Sequence, residues 1–427
     1  MTRSIAFQKP MERLYRWAAY GCIAFGVGAE TVSAEPQSDV ERAIQALQEQ
    51  NQQLEQRLRD VEADSSPSPE RHAKNPSLLH GENLILSGMV GLAFFSSEDN
   101  GRFPEDEFRV DEARLFLDVR LPKNLFAFVE VNLFEPDRGD AEFTVGELFL
   151  EAEDLAGHFG LDDWVTLRVG RFDIPFGEEY LHRDSIDNPL ITHSVSDIWG
   201  VDEGIEIFGS PGGTWDYTVA VQNGGHPSSK EGNSDKAVIG RLGFEANEHL
   251  RISASAMRTG KLDAEKDVFS EVWFGRGFLV PVSDPDEIET FEGELYEVDV
   301  LLRREQGYLA LTGGRVEVSD NGVEASTDAM YYSIEMVHDM AGDLYGALRY
   351  SGMESDDGFA VVGHAPFSKL FSPDRTESLQ RLSVGLGYRI SDQAVAKVEY
   401  SFEEGETVGG VDLDERNMLS TGVSFAF

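Results

Sequence analysis

The segment HRDSIDNPLITHS, residues 182–194, concentrates side chains that are able to do chemistry. A histidine, an aspartate and a serine are the parts of a hydrolase triad, and His182 with His193 could hold a metal ion. Such trios are common by composition in polar loops, and the sequence contains no G-x-S-x-G nucleophile elbow. We therefore predict neither catalysis nor a metal site in this segment, and we expect no cofactor.

A second set of reactive side chains consists of basic residues at alternate positions, interleaved with acids. Arginine presents a planar fork that binds two oxygens of a carboxylate or a phosphate. The pattern therefore fits either a stripe that guides small anions or a ladder of ion pairs that stiffens a wall. The basic residues that share this parity are Arg114, Arg120, Arg168, Arg241, Arg251, Arg303, Arg315, Arg349, Arg381, Arg389 and Lys397. The acids available as their partners are Glu112, Asp118, Glu130, Glu147, Glu151, Glu206, Glu297, Asp299, Glu335 and Glu399.

These charged positions lie in segments that alternate apolar and polar residues along most of the chain. In LSTGVSFAF, residues 419–427, Leu419, Val423 and Phe425 share one parity, and small residues occupy the other. Roughly sixteen such segments of about ten residues occur, and ten residues is the length that a tilted strand needs to cross a bilayer. In a β-sandwich the charged parity would be buried and unpaired. We therefore predict an all-β fold, a roughly 16-stranded antiparallel transmembrane barrel over residues 82–427.

The connections between these segments alternate between short and long. Sequences such as LPKNL, SPGGT and DMAGD are tight turns, whereas the stretches around 260–290, 319–326 and 353–376 are long. Tight turns at one end and long loops at the other are typical of outer-membrane barrels, with the turns in the periplasm. Because closure satisfies every backbone group in lipid, we expect the last strand to pair with the first, around Leu84 to Phe94.

The N-terminal residues predict export and a short helix. Residues 1–34 combine a basic start, a short apolar core that holds the one cysteine, and the small-residue site VSA, as in a signal peptide. Residues 35–63 contain a heptad seam with Asn51 at an a position, which predicts a periplasmic coiled coil. A single amphipathic helix is the alternative. The Ser- and Pro-rich residues 64–81 predict a flexible linker.

The formal net charge of −42 excludes a nucleic-acid binder, which needs a basic surface. Because the alternating segments are near charge balance, the surplus acid must lie in the loops, as in SSEDNGRFPEDE. Acidic loop ends are expected to bind divalent cations that bridge lipopolysaccharide, or they reflect a saline habitat.

The stretch VGRFDIPFG, residues 169–177, followed by DEGIEIFG, residues 202–209, resembles the phosphate-selective porin O/P family. The strand EVNLF and the terminal GVSFAF are also similar to that family, over roughly residues 80–427. The N-terminal coiled coil is similar to that of the trimeric dicarboxylate porins. These resemblances imply a homotrimer of sixteen-stranded barrels in the outer membrane of a Gram-negative bacterium. They also imply that the barrel-assembly machinery recognises Phe427.

In these families the third long loop folds into the lumen and narrows it, which implies that role for residues 173–200. The candidate constriction residues are Asp173, His182, Asp184, Asp187 and His193. The candidate pore-lining, anion-guiding residues are Arg114, Arg120, Arg168, Arg183, Arg349, Arg381, Arg389 and Lys397. We therefore predict a porin, not an enzyme, for passive diffusion of small solutes, above all anions such as phosphate, polyphosphate or small carboxylates. The alternative is a structural outer-membrane tether with an incidental, cation-preferring pore, which the net acidity favours.

Overall fold

The computed structural model describes the barrel region of the chain. The described residues are 79–80, 83–134, 143–224, 234–264, 282–283, 286–323, 325–359 and 375–427. The chain divides between Ser66 and Pro67, and all described residues belong to the second unit. The predicted signal peptide and coiled coil lie outside the described residues, as does the part of the predicted linker before residue 79. No helix among the described residues is long and apolar enough to cross a membrane.

The alternating segments form sixteen long strands and one two-residue strand within the described ranges. Each of the sixteen predicted segments corresponds to one long strand. In chain order the strands are β1 (Leu79–His80), β2 (Leu84–Ser97), β3 (Glu107–Leu121), β4 (Leu125–Phe134), β5 (Thr144–Ala152), β6 (Thr166–Asp173), β7 (Val201–Gly209), β8 (Trp215–Gln222), β9 (Ala237–Asn247), β10 (Leu250–Asp263), β11 (Thr290–Arg304), β12 (Gly307–Asp320), β13 (Ser326–Asp339), β14 (Leu344–Phe359), β15 (Thr376–Ser391), β16 (Ala394–Thr407) and β17 (Met418–Ala426).

The long strands pair antiparallel with their chain neighbours, and the sheet closes on itself because β17 pairs with β2. Val423 lies opposite Leu92 at this seam. Beyond the end of β17, Phe427 and Gly88 exchange two backbone hydrogen bonds of 2.9 Å. The predicted closed 16-stranded antiparallel barrel is therefore confirmed, including the pairing of its last and first strands. The segment β1, which falls in the predicted linker, also pairs with β2.

Side chains alternate between the two faces of the wall, as the period of two requires. On β17, Val423 and Phe425 face outward and are 41% and 38% exposed, whereas Ser420 faces inward and is fully buried. On β16 the inward positions are Lys397, Glu399 and neighbouring polar residues. An apolar outer face with a polar inner face is the arrangement of a barrel in lipid.

Strand length divides the wall into a low side and a high side. Strands β4 to β8 have 8–10 residues, whereas β10 to β16 have 14–16. The connection around 319–326, predicted to be long, is shorter than expected, since β12 ends at Asp320 and β13 begins at Ser326. The high side is therefore longer than the roughly ten residues that a bilayer requires.

Candidate functional site

The connection between β6 and β7, residues 174–200, packs against the inner face of the barrel wall. Its apolar residues Ile174, Phe176, Val195 and Ile198 are buried in one cluster with inward-facing residues of the wall such as Phe128. A single 3-10 turn, Glu179–His182, is its regular element. Side chains from the wall hold this loop at its stem, defined as residues 177–184, and at its tip, defined as residues 185–195.

The stem is held chiefly by charged side chains. The Arg251 guanidinium donates to Glu178 over 2.9 Å and to Asp216 over 2.5 Å. Gly177 donates its backbone N–H to Ser255 Oγ over 3.1 Å. Gly177 has φ +71°, and a Cβ there would lie 2.2 Å from Glu297 Oε1. Only glycine therefore fits where the chain turns into the lumen.

The end of the stem is tied to β3. Arg114 donates from Nη2 to Asp184 Oδ1 over 2.7 Å, and it also forms ion pairs with Glu112 and Glu130. The next residue, Ser185, donates its backbone N–H to Glu112 over 3.1 Å. One predicted anion-guiding residue and one predicted constriction residue are therefore bound to each other.

The tip is held through its backbone by Lys397 and Glu399 of β16. The Lys397 ammonium donates to the carbonyl oxygens of Ser185 at 2.5 Å, Leu190 at 3.3 Å and Asn188. Glu399 accepts the Thr192 backbone N–H at 2.9 Å and the Thr192 hydroxyl at 2.5 Å. A buried cation and a buried anion thus compensate each other while each satisfies backbone groups of the tip.

Two arginines of the high side complete the anchoring of the tip. Arg349 donates to the Thr192 carbonyl at 2.5 Å and to Asn188 Oδ1 at 2.9 Å, while its Nε donates to Glu335 at 2.7 Å. Arg381 donates to Glu403 at 2.6 Å and to the His193 carbonyl at 3.3 Å. Both arginines are about 95% buried or more.

A polar cluster of the loop itself surrounds His193. Glu179 accepts hydrogen bonds from the Ser194 N–H at 2.9 Å and hydroxyl at 2.6 Å. Asp197 lies 3.0 Å from Arg183 Nη2 and 3.7 Å from His193 Nδ1. Burial raises the pKa of Asp197 to about 7, against the opposing effect of Arg183. Burial lowers the pKa of His193 well below its ordinary value, and four nearby cations, above all Arg183, lower it further. The imidazole of His193 is therefore neutral.

The remaining predicted residues lie apart from this cluster. Arg168 is bound by two carboxylates of the low side, Glu151 at 2.7 Å and Glu206 at 2.9 Å. Arg120 lies exposed at the inward face near the end of β3. Arg389 is half exposed and pairs with Asp339 at 2.8 Å. His182 and Asp187 are exposed on the loop, and Asp173 donates its backbone N–H to Glu147 at the end of β6.

The prediction that Arg315 faces inward is wrong. On β12 the inward positions are Val316 and Val318, which are buried in the apolar cluster of the wall. Arg315 lies on the outer face, beside Asp328 at 3.4 Å. The usual alternation is inverted here, since Arg315 and Glu317 share the outer face and both side chains are more than half exposed.

Most of the inward arginines form ion pairs, as the ladder interpretation expects. Glu178 was not singled out from the sequence, and Glu399 was named only as an inward acid available to pair with basic residues. That Glu399 accepts N–H groups of the tip has no signal in the sequence. A metal pair of His193 with His182 was considered and not predicted, and the structure places His193 beside Glu179 and Asp197.

Comparison with solved structures identifies the fold. The chain is similar to OmpT, an outer membrane protein of Vibrio cholerae, with a TM-score of 0.56, 12% identity, and coverage of 82% of this chain and 99% of that chain. It is similar to the outer membrane channel DcaP of Acinetobacter baumannii, with a TM-score of 0.54, 14% identity, and coverage of 82% and 100%. It is also similar to an anion-selective porin from Comamonas acidovorans, with a TM-score of 0.52, 12% identity, and coverage of 81% and 99%. No protein-family model and no curated protein matches the chain. The chain therefore has the fold of the outer-membrane porins.

Proposed function

We propose that this protein is an outer-membrane porin for passive diffusion of small hydrophilic solutes. The observation that carries the proposal is a closed barrel with an apolar outer face, a charged inner face and a loop bound to the inner face. Such an interior costs little only when water fills it. The solved barrels that the chain resembles include a channel and a porin, and the proposal extends that role to this chain.

The setting of the porin is part of the same proposal. We place it in the outer membrane of a Gram-negative bacterium, as a homotrimer in contact with lipid and lipopolysaccharide, with Phe427 recognised by the barrel-assembly machinery. One of the similar structures is a trimer form of OmpT, and the outward residues of β17 are apolar enough to face lipid or another subunit. Membership of the phosphate-selective porin O/P family remains a prediction from the sequence.

For ion preference the geometry favours small cations over the predicted anions. Arg349, Arg381 and Lys397 donate to loop carbonyls and have carboxylate neighbours, so they present little free positive charge to a solute. Arg114 is surrounded by three carboxylates and Arg168 by two. Since fixed charges act over about 8–10 Å at physiological salt, the local surplus of carboxylates near the loop outweighs these arginines.

Reversal potentials in a potassium chloride gradient test both parts of the proposal. We expect the purified protein to form channels in planar bilayers and the wild-type potential to have the sign of potassium preference. The substitutions Arg168→Ala and Arg183→Ala should each increase the preference for potassium. Each removes a positive charge and leaves the carboxylates that were paired with it uncompensated. Absence of channels would contradict the porin function. Chloride preference that either substitution reduces would instead establish the anion-guiding role predicted from the sequence.

A further inference from the structure

Three side chains of the loop have the arrangement of metal ligands. Glu179, His193 and Asp197 each offer one ligand atom, and these atoms all lie within 4.8 Å of one another. The three residues belong to a single loop, so small adjustments of that loop can bring the ligand atoms closer without moving the wall. His193 and Asp197 lie four positions apart in the sequence, and Glu179 belongs to the 3-10 turn of the stem.

An independent observation concerns the carboxylate of Asp197. The residue is 1% exposed, yet neither of its carboxylate oxygens accepts a hydrogen bond from any described residue. Its neighbour Arg183 forms an ion pair at 3.0 Å, but Nε and Nη1 of Arg183 are themselves without hydrogen-bond partners among the described residues. A buried carboxylate without hydrogen bonds is costly, and an ion or a water is the usual explanation.

We propose that Glu179, His193 and Asp197 form a binding site for a divalent transition-metal cation in the lumen. One imidazole nitrogen with two carboxylates is a donor set suited to Zn²⁺, which binds such ligands at about 2.0–2.2 Å. Hard cations such as Ca²⁺ prefer oxygen ligands alone. The inference rests on the proposed function, because it names a class of cation that would bind in the lumen of a cation-preferring porin.

The charges that face the site allow a cation despite the basic residues around His193. Arg349 is paired with Glu335 and Arg381 with Glu403, and Lys397 is compensated by the neighbouring Glu399. Arg183 is the one cation that a metal ion would displace from Asp197. Its guanidinium lies over the Trp199 ring at 4.5 Å, so it keeps a favourable cation–π contact after displacement.

Zinc titration of the purified full-length protein in detergent tests the site. Isothermal titration calorimetry should show one Zn²⁺ bound per chain in the wild type. The substitution His193→Ala should weaken binding by at least about tenfold, and Glu179→Gln should weaken it as well. His182→Ala is the matched control, because His182 is an exposed histidine of the same loop, and it should bind zinc as the wild type does.

Several results would overturn the proposal. They are equal binding by wild type and His193→Ala, loss of binding in His182→Ala, and displacement of zinc by an equal concentration of Ca²⁺. Heat-modifiable migration and circular dichroism of each variant establish that its barrel is folded. If His193→Ala does not fold, zinc binding by Glu179→Gln is the deciding measurement, and an affinity equal to that of the wild type would overturn the proposal.

Channel recordings separate this inference from the proposed function. Zinc should reduce single-channel current in the wild type and in His182→Ala, but not in His193→Ala. Channels with no zinc binding in calorimetry would refute the metal site and leave the porin intact. Zinc binding by a protein that forms no channels would refute the porin function and leave the metal site intact.

Discussion

The stem and the tip of the inward loop are held to the same wall by different chemistry. The stem is held by pairs of charged side chains, Glu178 with Arg251 and Asp184 with Arg114. The tip is held by side chains of the wall that bind its backbone, chiefly Arg349, Lys397 and Glu399. The side chains of Glu178 and Asp184 are 19% and 30% exposed, whereas that of Arg349 is only 6% exposed.

Because of this difference, salt should weaken the contacts of the stem more than those of the tip. Ion pairs near water are screened by dissolved ions, whereas a buried cation that binds carbonyl oxygens is screened much less. Hydrogen bonds to a charged group contribute about 1.5–3 kcal/mol each, and the buried ones at the tip keep that contribution at high salt. Most of them reach the backbone of the tip, but the side chains of Asn188 and Thr192 also take part, since they bind Arg349 and Glu399.

The largest effect is expected for Arg349→Ala. The substitution removes two hydrogen bonds to the tip and the ion pair with Glu335, which keeps its hydrogen bond from the Tyr308 hydroxyl, at a cost of about 3 kcal/mol. We expect the tip to leave the wall, so that single-channel conductance or its fluctuation rises severalfold. Arg389→Ala is the control, because Arg389 also pairs with a carboxylate but its side chain is half exposed. Equal conductance of wild type and Arg349→Ala would show that the tip does not depend on this anchor.

An intermediate effect, which depends on salt, should distinguish the stem from the tip. Glu178→Gln weakens the Arg251 pair, and its effect on current noise should fade between 0.1 M and 1 M KCl as the Debye length falls from about 10 to 3 Å. Lys397→Met removes the ammonium from three carbonyl oxygens, and its effect should persist at 1 M KCl. Recordings of both variants across this range check the difference. The same salt dependence for both would mean that the two anchors do not differ in burial.

The smallest effect is expected for Arg315→Ala. Because Arg315 lies on the outer face, the reversal potential in a potassium chloride gradient should equal that of the wild type. Arg168→Ala, an inward arginine, is the contrasting variant and should shift the potential. A shift with Arg315→Ala as large as that with Arg168→Ala would place Arg315 in the ion path after all.

The sequence predicted the wall well because one rule governs it. A period of two sorts residues between lipid and lumen, and it located all sixteen long strands and the closing pair β17 and β2. The rule failed at Arg315, where apolar Val316 and Val318 turn inward and the outer face of β12 bears Arg315 and Glu317. At this end of the strand the polar residues lie outside, so polarity does not tell which residues face the lumen.

The site could be predicted only in part, since its contacts join residues far apart in the chain. The constriction residue Asp184, the basic residues Arg349 and Lys397, and the acids Glu335 and Glu399 were recognised as inward chemistry, but the loop carbonyl groups that Arg349 and Lys397 bind were not. Arg349 binds the Thr192 carbonyl, and every residue has a carbonyl. A contact to a backbone carbonyl cannot be predicted from residue types. The same holds for the proximity of Glu179, His193 and Asp197, which depends on the turns of the loop.

The closing seam also fixes the order in which the protein can be built. Val423 is hydrogen-bonded across the seam to a strand 331 positions earlier, opposite Leu92. Contacts of such separation form late, because the loop-closure entropy must be overcome before they contribute. Until that pairing forms, β2 and β17 both present unsatisfied backbone groups. In lipid such groups are costly, and in water an open strand edge promotes aggregation. Assembly is therefore concerted at its end: the chain has no half-closed state in the bilayer that satisfies its own backbone.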